Sequence, residues 1–338
     1  MIISRTPYRI SFFGGGTDYP DYYLTHGGHT IGTAINKYCY INVRELPPFF
    51  EYTHRFVYSK MENVKSIGEI NHPAIRETMR FMNITEHISL NHDGDLPARS
   101  GMGSSSAFTC GLLNSFYALK GKIVPRMQLA KEAIHIEQKM IGENVGSQDQ
   151  VLTAAGGLNS VEFLKSGEIV TTPVIMPPVR MNALQDHLLL FFTGLARTAS
   201  EIAEEQIRNT EKNSDSLHEM KELTARAVDI LTKYDTPLSD FGSLLNRAWN
   251  IKKKLSSRIT MPKIDEVYEK GIAAGAIGGK LLGAGGGGFI LFFAEPRAHE
   301  NIKKTLQGFL HIPFRFDFEG SKIIVYEPNC SQERNYEI

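Results

Sequence analysis

Short alternating runs of apolar and polar residues fill the first sixty positions. IISRTPYRISFF (2–13), HTIGTAI (29–35), YCYINVRE (38–45) and RFVYSK (55–60) read as strands separated by turns. Helix-like spacing follows around Ala74 to Met82, and ISLNHDG (88–94) returns to alternation with Ile88, Leu90 and His92 on one face. LPARSGMGSSS breaks the pattern before AFTCGLLNSFYALKG resumes with helical periodicity. A helix over 126–141 follows, with Leu129, Ala133, Ile136 and Met140 on one stripe. TPVIMPPVRM then packs three prolines into ten residues, which places a domain boundary near 173–186 and divides the chain into units 1–180 and 181–338. Beyond it, HLLLFFTG reads as a buried strand, followed by two long charged helices over about 198–234 and 238–255. The end of the chain reads helix (263–275), glycine turn, strand (288–294), helix (297–310), strand (321–327). Helices and strands mixed without a regular strand–helix–strand repeat predict an α+β chain of two domains.

Composition narrows the partners. Lys plus Arg equals Asp plus Glu, 37 against 37, so the basic excess expected of a nucleic-acid or membrane-surface binder is missing. Charges interrupt MIISRTPYR where a secretory signal needs its apolar core, and the greasiest run, Gly288 to Ala294, is too short to span a bilayer. Cys39, Cys110 and Cys330 are widely spaced, form no CxxC pair and suggest no disulfide framework. The expectation is a soluble cytoplasmic protein with a small-molecule partner; its oligomeric state stays open.

Three glycine-rich stretches carry the candidate chemistry, because anion binding wants convergent backbone N–H groups that glycine lets a ligand approach. In Pro97-Ala-Arg99-Ser100-Gly101-Met102-Gly103-Ser104-Ser105-Ser106 the loop lies between a strand and a helix, whose dipole favours an anion. It is neither a Walker loop nor a dinucleotide fingerprint, since no lysine follows and the third glycine position holds Ser106. One serine would serve as an N-cap; three after two glycines exceed that need and favour phosphate. Gly283-Ala-Gly285-Gly286-Gly287-Gly288 formally matches GxGxxG but reads as following a helix and entering a strand, the reverse of the dinucleotide order. The third stretch, Arg9 to Tyr19, sets an arginine and Asp18 beside the turn Gly14-Gly15-Gly16-Thr17.

Taken in this order, the stretches resemble the galactokinase, homoserine kinase, mevalonate kinase and phosphomevalonate kinase superfamily, the GHMP kinases. TPYRISFFGGGTDY is similar to the sugar-binding first motif, PARSGMGSSSA to the ATP-phosphate loop and KLLGAGGGGFILFF to the third motif. The resemblance implies an N-terminal ribosomal-protein-S5-domain-2-like domain with a left-handed βαβ crossover, a C-terminal ferredoxin-like domain, and an active site between them. It also implies ATP as phosphoryl donor, magnesium on Ser105 and Glu137, Asp149 in GSQDQ as acid/base residue, and Arg9 flanking Asp149 and the transferring group. Asp18 would bond a sugar hydroxyl, with Gly14 to Thr17, Gly285 and Gly286 lining the substrate. Galactokinases carry Glu-His where this chain has Gly15-Gly16, which disfavours galactose. GGGTDY, GSQDQ and FFTGLARTAS are most similar to the D-glycero-D-manno-heptose 7-phosphate kinase branch, which phosphorylates the anomeric hydroxyl to give a 1,7-bisphosphate. A phosphorylated substrate needs a second cationic subsite, for which Arg197 is the first candidate and Lys280 the second. The rivals are a kinase of a neutral sugar such as fucose, a silent sugar sensor on the same fold, and a dinucleotide-binding oxidoreductase.

Overall fold

The computed structural model describes residues 1–195 and 199–327. The chain opens with β1 (Ile2–Phe13), a short helix α1 (Pro20–His26) and the long strand β2 (Gly28–Glu45). Here the separate runs 29–35 and 38–45 are one continuous strand. β1 and β2 pair antiparallel along almost their whole length, with a register shift between Pro7 and Tyr8. A bulge is where a strand tolerates a proline that cannot donate to the ladder.

β3 (His54–Val57), β4 (Met61–Val64), helix α2 (Pro73–Phe81) and β5 (Ile88–Gly94) follow. Next come helices α3 (Ser104–Leu119), α4 (Arg126–His135) and α5 (Gln148–Ala155), then β6 (Leu158–Phe163) and β7 (Ile169–Pro173). The second half of β2 pairs with β5 and its first half with β6, so this one strand organises both parts of the first sheet. α3 is buried over most of its surface, including Phe108, Cys110, Leu112 and Phe116. A helix apolar nearly all round belongs inside, and it packs on β1, β2 and α5. The helix read over 126–141 is α-helical only to His135; Ile136–Ile141 widens into a π-turn.

α6 (Pro178–Asp186) leads into β8 (Leu188–Phe192). The charged stretch read as one helix is two, α7 (Ala199–Arg208) and α8 (Ser214–Thr232). The polar break between them is tied down by the Asn213 amide, which donates to the Leu255 carbonyl (2.9 Å). α9 (Leu238–Lys252), α10 (Pro262–Ala273), β9 (Ala276–Leu281), β10 (Phe289–Ala294), α11 (His299–Thr305), β11 (Leu310–His311) and β12 (Lys322–Tyr326) complete the chain. The second sheet is antiparallel in the order β11-β8-β10-β9, and every residue of β10 is buried.

Two boundaries need correction. AIGGKL (276–281) is a strand that its paired glycines conceal, so the 282–288 loop joins strand to strand as a hairpin. The unit read as 181–338 also gives its last strand back: β12 pairs with β1 through Ile2–Tyr326 and Ile3–Val325. The two parts share one core. Phe12 and Phe13 of β1 meet Phe241 of α9 edge-on at 5.5 and 5.1 Å, and Phe241 meets Phe293 of β10 at 5.8 Å.

Candidate active site

The 97–106 loop enters α3 through two left-handed glycines, Gly101 (φ +81°) and Gly103 (φ +73°). Gly103 is the N-cap, and the first helical bond runs from Ala107 N–H to its carbonyl (2.8 Å). The N–H groups of Ser104, Ser105 and Ser106 therefore have no partner within the helix, and no acidic residue occupies its first turn. Such a helix end can receive an anion. Pro97 and Arg99 are exposed, while Ser100 closes the loop onto the Pro97 carbonyl (2.7 Å). Met102 is a core residue, and its carbonyl accepts from Arg9 N–H (3.0 Å), which pins the loop to β1.

Arg9 is 3% exposed and spends its guanidinium on two parts of the site. Nε and one terminal nitrogen donate to the two Asp149 carboxylate oxygens at 2.7 and 2.6 Å, and the other donates to the Gly101 carbonyl at 2.7 Å. This fork fixes Asp149 relative to the phosphate loop. Asp149 is the second residue of α5, behind the N-cap Ser147, so it does not cap the helix.

Glu137 sits in the π-turn after α4 and is fully buried. The Ser106 hydroxyl (3.1 Å) and the Gln150 amide (2.6 Å) donate to its Oε2, while among the described residues its Oε1 has no partner. The neighbouring Thr109 hydroxyl donates instead to the Ser105 carbonyl (3.1 Å). Burial pushes the Glu137 carboxyl up to about 7. Ser105, expected to share a magnesium ion with Glu137, is not its hydrogen-bond partner, because consecutive helical side chains point about 100° apart. Ser106 meets the glutamate, while Ser105 is exposed at the helix start. Ser104 Oγ is buried without a partner among the described residues.

An orphaned carboxylate oxygen beside unfilled hydroxyls is a set of hard oxygen donors suited to magnesium. That ion takes one or two protein carboxylates and completes its shell with water and phosphate. No group of three His, Cys, Asp or Glu side chains fit for a metal exists among the described residues.

The 14–18 turn packs against this centre. A Cβ on Gly14 would lie 1.9 Å from the His29 carbonyl, and the Thr17 hydroxyl donates to the Gly14 carbonyl (2.8 Å) and accepts from His29 N–H (3.1 Å). These two residues hold the turn to β2 and do not face a ligand. Asp18 is 2% exposed and accepts from Gly16 N–H (2.9 Å) and Gln148 N–H (3.3 Å). Burial, then the charge of Asp149, raises its pKa. A Cβ on Gly15 would point at the Gln148 amide (3.3 Å) and Lys252 Nζ (3.9 Å), so Gly15 faces the centre. Gly16 instead borders a small slot with Tyr19, Gln206, Asn213, Leu217 and Leu255.

Lys280 does not serve as a substrate cation. Its ammonium is buried and donates to the Ser11 and Phe12 carbonyls (2.8 and 2.9 Å), bracing β9 against β1. Arg197 lies outside the described residues. The third glycine loop packs backbone on backbone: Gly286 N–H donates to the Ile259 carbonyl (2.9 Å), and a Cβ on Gly285 would lie 2.7 Å from Ile259 Cα. A Cβ on Gly283 would sit 2.5 Å from Gly101 Cα, so the first and last glycine loops of the site touch.

Lys252, Gln148 and Gln150 are site residues that the sequence reading passed over. Lys252 hides in a lysine run, yet it continues the buried stripe Phe241, Leu245, Ala248 of α9, an unusual place for a cation. A surface groove between α8 and α9 at Arg226, Asp229, Lys233 and Arg247 contains none of these residues. No helix among the described residues is long and apolar enough to cross a membrane.

Comparison with known proteins agrees with this geometry. The N-terminal domain profile of GHMP kinases matches residues 70–157, and the C-terminal profile of GHMP kinases matches residues 217–311. The D-glycero-alpha-D-manno-heptose 7-phosphate kinase of Campylobacter jejuni is 29% identical over 95% of this chain and 98% of its own. The L-fucokinase/L-fucose-1-P guanylyltransferase of Bacteroides fragilis is 25% identical over 90% of this chain, which spans 36% of that longer protein. A solved D-glycero-D-manno-heptose 1-phosphate kinase from Bacteroides thetaiotaomicron superposes with a TM-score of 0.78 over 96% of this chain and 98% of its own, at 24% identity. The chain belongs to the GHMP kinase family, has its two-part fold, and is a phosphotransferase of the sugar kinases in that family.

Proposed function

We propose that the protein transfers the γ-phosphoryl group of ATP to the anomeric hydroxyl of D-glycero-D-manno-heptose 7-phosphate. The products are ADP and the 1,7-bisphosphate, a precursor of nucleotide-activated heptose for surface polysaccharide. The observation that carries this reading is the end-to-end similarity to the Campylobacter heptose 7-phosphate kinase.

In this reading the N-terminal end of α3 receives the triphosphate on the N–H groups of Ser104, Ser105 and Ser106. Glu137 and Ser105 would hold magnesium, which neutralises charge on the transferred group. Asp149 orients the acceptor hydroxyl and takes its proton as the new oxygen–phosphorus bond forms and the bond to the ADP oxygen breaks. Arg9 keeps that carboxylate in place and faces the transferring group. Asp18, fixed by two backbone N–H groups, accepts from a second sugar hydroxyl. Arg197 pairs with the phosphate already on the sugar.

A second reading, transfer to a neutral sugar, draws on the fucokinase relative and on Lys280, whose donors are consumed inside the protein. A coupled ADP-release assay over heptose 7-phosphate, heptose 1-phosphate, free heptose and fucose separates them. The proposal requires kcat/KM to be highest with the 7-phosphate. Equal turnover of fucose would overturn it, and no ADP release with any sugar would leave a silent sensor.

A further inference from the structure

We infer that Lys252 is a ligand of the transferring phosphoryl group: its ammonium binds a γ-phosphoryl oxygen of ATP. This rests on the ATP-kinase reading of the site and adds a residue to it. Lys252 is the last residue of α9 and is 6% exposed. Its Nζ donates to the Gly283 carbonyl at 2.6 Å and lies 3.9 Å from the position of a Cβ on Gly15. Gly283 in turn abuts Gly101 of the phosphate loop. Lys252 therefore stands at the seam between the acceptor turn and the nucleotide loop, where the phosphoryl group must cross.

Charge points the same way. Arg9, Lys252 and Lys280 interact with Asp18 and Asp149 in one buried cluster. Three cations face two carboxylates, a net of one positive charge. Burial favours neutral Lys280 and neutral Asp18, and if both are neutral the net is still one positive charge. Arg9 is committed to Asp149 and Lys280 to two carbonyls, whereas one carbonyl accepts from Lys252 and no carboxylate pairs with it among the described residues. Desolvation lowers the Lys252 ammonium to about 8, as it also lowers that of Lys280. Lys280, which braces β9, gives two donors to carbonyls, whereas Lys252 gives one.

The test compares Mg·ADP with magnesium and β,γ-imido-ATP by titration calorimetry, in wild type, Lys252→Met and Lys252→Gln. Glutamine can keep the bond to the Gly283 carbonyl without charge, so it separates anion binding from bracing. Both variants should lose affinity for the imido-triphosphate by roughly ten- to a hundredfold, the range for one charged hydrogen bond, while ADP affinity changes less than about threefold. With substrate, kcat should fall on the order of a hundredfold. The melting temperature should not fall, since an unpaired buried charge has been removed. A folded Lys252→Gln protein with wild-type discrimination between the two nucleotides overturns the inference. So does a variant that raises only the KM of the sugar phosphate, which would move Lys252 to the substrate's own phosphate. Wild-type protein that binds neither nucleotide would instead sink the kinase reading itself.

Discussion

Glu137 offers the sharpest test of the site, because its charge is unfavourable until a cation arrives. The perturbation is Glu137→Gln, nearly isosteric and always neutral. Glutamine's oxygen can still accept from the Ser106 hydroxyl and the Gln150 amide, which now meet Oε2 at 3.1 and 2.6 Å. Burial raises the wild-type carboxyl from an ordinary 4.5 to about 7. At about 1.4 kcal/mol per pKa unit, ionising it inside the fold costs roughly 3 kcal/mol. The sign follows from proton counting. Between pH 4.5 and 7 the unfolded chain has released this proton and the folded chain has not, so stability falls as pH rises and then levels off above about 7. Below pH 4.5 the contribution is fully favourable.

The assay is thermal unfolding of both proteins from pH 4.5 to 8.5, with and without Mg·ADP. Without ligand, Glu137→Gln should gain on wild type progressively up to pH 7, by about 6 °C at roughly 2 °C per kcal/mol for a chain of this size. With Mg·ADP the order should reverse above pH 7, because wild type recovers the cost of its charge and the variant has no carboxylate to offer. Below pH 7 protons compete with the metal, and the ligand-induced gain of wild type should shrink. A difference between the two proteins that stays flat from pH 4.5 to 8.5 would refute the reasoning. An undiminished Mg·ADP response in the variant would remove Glu137 from the metal site.

Asp149→Asn should lower kcat on the order of a hundredfold or more by removing the proton acceptor. It should also destabilise the protein by about 3 kcal/mol, because Arg9 is left buried beside a neutral amide, and steady-state kinetics with urea unfolding reads both. A folded Asp149→Asn enzyme with most of its kcat would end the catalytic assignment. Gly103→Val places a β-branched residue at φ +73° with its Cβ 3.0 Å from Arg9 Cγ, so ATP binding measured by calorimetry should be lost and the melting temperature should drop. Gly283→Ala, at φ +77°, would place its Cβ 2.5 Å from Gly101 Cα and should weaken ATP binding, measured by calorimetry, through the loop it displaces; unchanged affinity would show that the loop contact is dispensable.

Local signals reached far into this fold. Alternation gave the strands of the first sheet, and the glycine and serine pattern at 101–106 marked the turn that starts α3, because both are written in neighbouring residues. What escaped was decided at long range. β9 carries Gly278 and Gly279, poor strand formers that are used where α9 and β10 approach closely, so only the packed structure explains them. The π-turn at Ile136–Ile141 is invisible to periodicity, since the same apolar stripe runs through it. Ser105 and Ser106 differ only by helical phase, and that phase is set by the left-handed Gly103. Lys280 and Lys252 look alike as letters, yet one ends on two β1 carbonyls and the other beside Gly15 and Gly283.

Those two lysines show what the second sheet contributes to the chemistry. Arg9, Asp18, the 97–106 loop, Glu137 and Asp149 all belong to the first part of the chain, and Arg9 already ties the Asp149 carboxylate to that loop. Nothing in that set supplies a mobile positive charge, because Arg9 is locked between Asp149 and Gly101. The cations that complete the cluster arrive from α9 and β9. Lys280 fixes β9 to the Ser11 and Phe12 carbonyls, and the Phe12–Phe241 and Phe13–Phe241 contacts hold α9 over the same segment of β1. With both elements held to one short stretch of β1, the end of α9 can carry a buried ammonium to the glycine loops, where Asp18 and Asp149 attract it. The structural lysine and the aromatic seam thus set the position of Lys252, and losing either should disturb phosphoryl binding before it unfolds the chain.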